Sequence, residues 1–153
     1  SAIEIDAVCT DLSVAYVDTA QGGKLRVLLD GAERLVQPTN APFVDLEKNA
    51  HFMENRKGIL GLGFGLHQVR LEAIDGPVAV LGLFTYDSRP NRQFERRLTG
   101  TAAAGETVTF SLPFKARPVV LCRGELSART SDITPTQVAF GGKGTGTYEV
   151  TGE

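Results

Sequence analysis

The sequence has no tryptophan and, in 153 residues, two histidines, two cysteines and one methionine. With His51 and His67 as the sole histidines and no Gly-x-Ser-x-Gly motif, nothing pairs a nucleophile with a general base as in a hydrolase. No pair of acids is marked out by aromatic neighbours, and no run of Asp and Asn suits calcium. We therefore expect a protein that is not an enzyme and that uses no cofactor or metal.

Long apolar runs and a strong excess of one charge are missing as well. No apolar run approaches the roughly 20 residues that span a bilayer. The net charge is −2, with the charges dispersed along the chain. We expect neither membrane insertion nor binding to nucleic acid. Cys9 and Cys122 lie in separate strand-like runs, which favours two buried free thiols over a disulfide.

The sequence is rich in short segments of strand type separated by turn residues. Residues 66–74 alternate between polar and apolar side chains, which is typical of a half-buried strand. Asp75 and Gly76 then predict a tight turn, and the apolar run 78–84 predicts a strand buried on both faces. Asp30 and Gly31, between two apolar runs, predict a hairpin. Together these signals predict an all-β fold, an antiparallel β-sandwich or jelly roll.

Two glycine-rich segments bear on nucleotide binding and on domain boundaries. Residues 58–65, GILGLGFG, would have to open a helix to bind a nucleotide, but strand-like alternation follows, so we expect a turn. Residues 100–105 read as a flexible connector. That reading divides the chain into two small sandwiches in tandem, residues 1–99 and 106–153, with one continuous domain as the alternative.

Two polar clusters are candidate binding sites. The first follows the apolar run 78–84 and contains Tyr86, Asp87, Arg89, Asn91 and Arg92. Sugar recognition needs flat groups that stack on a ring and planar polar groups that grip neighbouring hydroxyls, and this cluster offers both. The competing interpretation is structural: turn capping by the Asp and Asn, and pairing of Arg89 with an acid of a neighbouring subunit.

The second candidate is a predicted polar loop near the end of the chain. It contains Arg123, Glu125, Arg129 and Asp132. Loops carried by a rigid sheet framework are frequent binding sites, although an ordinary solvated loop would have the same composition.

Two stretches resemble known families. Residues 12–84, with LSVAYVDTAQGGKLRVLLDG and GLGFGLHQVRLEAIDGPVAVLG, resemble carbohydrate-binding jelly rolls of secreted glycosidases, esterases and viral fibres, and His67 falls on a histidine of that pattern. Residues 106–153 carry Phe-x-x-x-Pro-Val-Val-Leu and a closing Tyr-x-Val-x-Gly. This stretch resembles the ends of bacteriophage tail fibres and tail spikes, whose sandwiches look like H-type lectins and assemble as trimers.

The resemblance implies a receptor-binding module at the distal end of a phage or phage-like tail fibre. Such a module would be a homotrimer on a fibre or spike shaft in the virion tail and would recognise host cell-surface polysaccharide. The alternatives are a structural trimerisation or capping module of a spike, and an accessory carbohydrate-binding domain of a glycan-active enzyme. The sequence departs from the family in lacking tryptophan, which with tyrosine is the common sugar platform.

Overall fold

The computed structural model describes residues 1–40, 54–89 and 95–153. These residues form strands joined by turns and one short 3-10 helix, Thr130–Asp132. The strands are β1 (Ala2–Cys9), β2 (Asp11–Val17), β3 (Lys24–Leu29), β4 (Ala32–Pro38), β5 (Glu54–Ile59), β6 (Gly65–Ile74), β7 (Ala79–Tyr86), β8 (Arg96–Ala103), β9 (Thr107–Thr109), β10 (Val119–Ser127), β11 (Gln137–Ala139) and β12 (Gly141–Gly152). The strand pairings whose register is known are all antiparallel. The predicted all-β antiparallel sandwich class is confirmed, while the jelly-roll connectivity stays a prediction.

The chain forms two compact units. The first contains Ser1–Ala7, Asp11–Gly61 and Gln68–Tyr86, and the second contains Val8–Thr10, Leu62–His67 and Asp87–Glu153. The segment predicted as a connector, residues 100–105, lies within the second unit. There β8 continues to Ala103 in register with β12, so this segment is mostly strand and not a flexible link. The division into domains at residues 99 and 106 stays a prediction.

In the first unit, β2 is the most deeply buried strand. The unit has two sheets, with the orders β1-β6-β3-β4 and β5-β2-β7. Leu12, Val14 and Tyr16 alternate along β2 and are each no more than 2% exposed. β2 is the central strand of its sheet, and its six residues from Leu12 to Val17 are all buried.

The prediction that residues 78–84 form a strand buried on both faces was wrong. Within the described residues, β7 pairs with β2 alone and lies at the edge of its three-stranded sheet. Leu81 and Phe84 are 44% and 39% exposed. An apolar run is consistent with a central strand, but the number of neighbouring strands decides how much of it is covered.

The turns and the alternation of β6 were predicted correctly. Asp30 and Gly31 have φ angles of 51° and 83°, as a two-residue hairpin of the right twist requires, and they join β3 to β4. Asp75 also has a positive φ, at the turn between β6 and β7. Along β6, His67, Val69 and Leu71 are buried, and the residues between them point toward solvent.

A chain of ion pairs crosses the four strands of the β1-β6-β3-β4 sheet. Arg70 Nη1 lies 2.5 Å from Glu4 Oε1, and Arg70 Nε lies 2.7 Å from Glu72 Oε1. Arg26 Nη2 lies 2.5 Å from the other Glu72 oxygen, and Arg26 Nε lies 4.0 Å from Glu33 Oε2. Glu72 is therefore the carboxylate on which two guanidinium groups converge. Its pKa is lowered from the ordinary 4.5, first by the hydrogen bond from Arg70, against desolvation, and then by Arg26.

This arrangement predicts how stability changes in acid. Because folding lowers the pKa of Glu72, its ionised form stabilises the folded state above pH 4.5, and that stabilisation is lost as the pH falls through the lowered pKa. We expect Glu72→Gln to be less stable than the wild type in urea at neutral pH. The gap should close in acid, where the wild-type carboxyl is also uncharged. Introducing Arg70→Gln, which removes the principal hydrogen bond to Glu72, should likewise reduce the stability difference that Glu72→Gln causes at neutral pH. A gap that stays constant from neutral pH into acid would contradict this role of Glu72.

The second unit packs a three-stranded sheet, β10-β12-β8, and the pair β11-β9 around an aromatic core. Eight residues form the buried cluster: Ala102, Phe110, Phe114, Leu126, Ile133, Val138, Phe140 and Val150. Phe110 and Phe114 meet edge to face, with ring centroids 5.0 Å apart. Strands β9 and β11 have three residues each, whereas β10 has nine and β12 has twelve.

Candidate functional site

Four side chains share one face of the β5-β2-β7 sheet in the first unit. Ser13 on β2 is paired with Phe84 on β7, and two residues further along β7 Tyr86 is paired with Asp11. On the other side of β2, Arg56 on β5 is paired with Ala15. Residues that are directly opposite, and residues two apart on one strand, lie on the same face. We call Ser13, Arg56, Phe84 and Tyr86 the aromatic face.

Contacts among these side chains fix their orientation. The Arg56 guanidinium carbon lies 4.1 Å from the centroid of the Phe84 ring. The Tyr86 hydroxyl oxygen is 3.2 Å from Ser13 Oγ. Arg56 Nε donates to Glu54 Oε1 at 2.7 Å, and this hydrogen bond is the main cause that raises the pKa of Arg56; a hydrogen bond with Tyr86 adds to it. Arg56 is thus a fixed cation beside two aromatic rings.

The aromatic face is open and flat. Phe84 is 39% and Tyr86 48% exposed, values that leave a large part of each ring to solvent. The Phe84 ring lies beside Gly82, where a Cβ atom would be 3.6 Å from it, and Gly58 on β5 also lacks a side chain. Rings held this way can stack on the C–H face of a sugar, and the guanidinium N–H groups that Glu54 does not use can reach hydroxyl oxygens.

Among the residues of the first predicted cluster, Arg89 is used inside the protein. Its side chain is 7% exposed. Nε and Nη2 donate to the two carboxylate oxygens of Asp87 at 2.8 and 2.6 Å, and Nη1 donates to Glu95 at 3.3 Å. The guanidinium carbon lies 3.3 Å from the Phe64 ring centroid. The hydrogen bond to Asp87 is the main cause that raises the pKa of Arg89. These contacts fix the Arg89 side chain and leave few of its N–H groups available to a ligand.

The predicted site residues are thus distributed over different surroundings. Tyr86 belongs to the first unit, whereas Asp87 and Arg89 belong to the second. Asn91 and Arg92 lie outside the described residues. Arg89 pairs with Asp87 and Glu95 of its own chain, whereas the structural interpretation of the sequence placed its partner in a neighbouring subunit.

The sequence predicted that the second candidate cluster is a single loop, and this prediction was wrong. Arg123 and Glu125 lie in β10, which continues to Ser127 through a bulge between Gly124 and Leu126. Arg129 immediately precedes the 3-10 helix, and Asp132 is its last residue. Gly124 has a φ of 81°, which glycine adopts readily, so the glycine that suggested a loop marks a bulge in a strand.

Sequence reasoning missed Phe84 and Arg56. Phe84 was assigned to a buried strand, and Arg56 fell in a stretch without clear periodicity. A signal for Phe84 is present in the sequence. Gly82, Phe84 and Tyr86 are two residues apart, which places two rings and a residue without a side chain on one face of a strand.

His67, Cys9 and Cys122 have roles in packing. His67 is buried, with Nε2 2.9 Å from the Gly63 carbonyl oxygen, as the predicted packing and hydrogen-bonding role requires; His51 lies outside the described residues. Cys9 and Cys122, both within the described residues, are not joined by a disulfide, as predicted; Cys9 is buried and Cys122 half-buried, and burial raises the pKa of the Cys122 thiol. Within residues 1–40, 54–89 and 95–153, no three His, Cys, Asp or Glu side chains are grouped as a metal would need.

Comparison with known proteins gives no relative. No family model, curated protein or solved structure matches the chain. In the part of the chain that the structure describes, there is no helix long and apolar enough to span a membrane. The functional argument therefore depends on the side chains themselves.

Proposed function

We propose that this chain is a non-enzymatic carbohydrate-binding module that recognises a cell-surface polysaccharide through the aromatic face. The observation that carries the proposal is the pair of half-exposed rings, Phe84 and Tyr86, two residues apart on one strand with the Arg56 guanidinium beside them. In the absence of tryptophan, these rings supply the stacking platform. The guanidinium supplies hydrogen-bonding groups at its edge, and the buried Ser13 contacts the Tyr86 hydroxyl and so orients that ring.

The proposed setting is the distal end of a phage or phage-like tail fibre, with the chain as a homotrimer on a fibre or spike shaft. The resemblance of residues 12–84 and 106–153 to carbohydrate-binding jelly rolls and fibre ends supports this setting. A flat, open face binds one sugar unit weakly. Several copies on one particle raise the overall strength of attachment by orders of magnitude without any new contact.

Phe84→Ala tests the proposal on a glycan array and on host cells. Removing one stacking ring should weaken binding about fivefold to tenfold, since an aromatic contact of this kind contributes about 1 kcal/mol. Leu98→Ala is the matched control, because Leu98 is also an exposed apolar strand residue, 37% exposed, but lies on β8 in the second unit. Its binding should equal that of the wild type.

A purely structural trimerisation or capping module gives a different result. In that case, Phe84→Ala would leave glycan and cell binding unchanged, and no glycan on the array would bind the wild type. Light-scattering mass, measured for both variants, separates loss of sugar contact from loss of oligomer. Lost binding with an unchanged mass supports the proposal.

A further inference from the structure

The outer face of the β10-β12-β8 sheet in the second unit forms an open groove that the aromatic face does not involve. Register places Thr101, Thr147 and Arg123 side by side on the three strands. The next row contains Thr99, Glu149 and Leu121. The groove has a volume of about 520 Å³. A second groove, of about 530 Å³, shares Thr101 and Thr147 and extends to Thr145 and Glu106.

Arg123 is the cation in this groove. It is exposed, and its guanidinium makes no ion pair or hydrogen bond with any side chain of residues 1–40, 54–89 and 95–153. The neighbouring acid, Glu149, has a partner of its own, since Arg97 Nε lies 3.4 Å from its Oε1. The other groove acid, Glu106, accepts a hydrogen bond from the Ala103 amide at 2.8 Å. Among the residues that the structure describes, no acid within contact distance therefore neutralises the positive charge of Arg123.

Arg123 and the groups around it are complementary to an acidic sugar. A guanidinium donates two parallel hydrogen bonds to a carboxylate. Thr101 and Thr147 are exposed hydroxyls beside it, able to donate to and accept from sugar hydroxyls. Leu121, 54% exposed, offers an apolar contact for the C–H face of a ring. The two grooves share Thr101 and Thr147, and the volume of each is within the range of small-ligand sites.

We infer that this groove binds a carboxylate-bearing sugar unit, with Arg123 as the residue that holds the carboxylate. The inference extends the proposed function to an acidic class of saccharide. It depends on different residues in a different unit, so that either site can fail without the other.

Calorimetric titration with tetragalacturonic acid and with the neutral maltotetraose tests the inference. The wild type should bind the acidic tetrasaccharide at least about fivefold more tightly than the neutral one. Arg123→Gln should remove that preference, because an amide carries no charge. Arg34→Gln is the control: Arg34 is an exposed arginine on β4 of the first unit, outside the groove and the aromatic face, and its loss should change affinity less than about twofold.

Three outcomes would overturn the inference: no binding of the acidic tetrasaccharide, equal affinity for both tetrasaccharides, or equal weakening by the two arginine variants. Phe84→Ala in the same titrations separates this site from the aromatic face. If Phe84→Ala loses binding to the array glycan but keeps the acidic preference, both sites stand. If it removes the acidic preference while Arg123→Gln keeps it, the carboxylate site assigned to Arg123 is wrong.

Discussion

Gly146→Ala should destabilise the second unit by at least about 3 kcal/mol. Gly146 lies in β12 between β10 and β8, paired with Gly124 and Ala102. A Cβ at this position would overlap the carbonyl oxygen of Arg123 and lie 2.7 Å from Leu126 Cβ. Both obstacles belong to the neighbouring strand or to a buried side chain, so β12 would have to move away from β10.

Gly58→Ala is the matched control for this prediction. Gly58 is also a strand glycine, but the nearest atom to its Cβ position is 3.5 Å away and belongs to the side chain of Leu60. We expect a change within about 0.5 kcal/mol, since alanine also restricts the unfolded chain. Denaturant unfolding gives the stability change, and amide hydrogen exchange in β10 and β12 locates it. Unchanged exchange in both strands of Gly146→Ala would show that the strands are not packed this closely.

Arg89→Ala should be the second large effect, a loss of about 2 to 3 kcal/mol of stability with saccharide binding intact. The change removes a buried guanidinium, leaves Asp87 without its cation and Glu95 with only the more distant Arg97, and removes the contact with the Phe64 ring. Arg89→Lys should recover only part of the loss, because an ammonium cannot pair with both Asp87 oxygens in parallel or lie flat on a ring.

Arg97→Ala is the control for Arg89→Ala, because Arg97 also approaches Glu95, at 3.9 Å, but its side chain is 61% exposed. An exposed pair of this kind contributes less than about 1 kcal/mol. Thermal unfolding and glycan binding are measured on all three variants. If Arg89→Ala instead kept its melting temperature and lost binding, Arg89 would be a ligand contact, and the loop cluster would be the site.

The fold was largely predictable because its local signals are strong. Asp30 and Gly31 set a hairpin through their positive φ angles, and the alternation of residues 66–74 set which side of β6 is buried. These features depend on neighbours in sequence. The strand spacing and turn residues were enough for the all-β class.

The errors came from features that depend on neighbouring strands. The run 78–84 is apolar, but β7 lies at an edge and exposes Phe84 and Tyr86. The glycines of residues 141–146 are of a type common in turns, yet they lie in β12, where Gly142 and Gly146 leave no room for a Cβ beside β10. In the same way, Arg89 looked available in sequence: Asp87 is two residues away, but its pairing with Arg89, and the contacts with Glu95 and the distant Phe64 ring, appear only in the folded chain.

The most direct test of the aromatic face is an NMR titration with the glycan that binds most tightly on the array. We expect the ring signals of Phe84 and Tyr86 and the amides around Ser13 and Arg56 to shift together, in proportion to bound ligand, and the Phe84→Ala variant to lose the response. If the glycan binds while every signal of the aromatic face stays in place, this face is not the saccharide site.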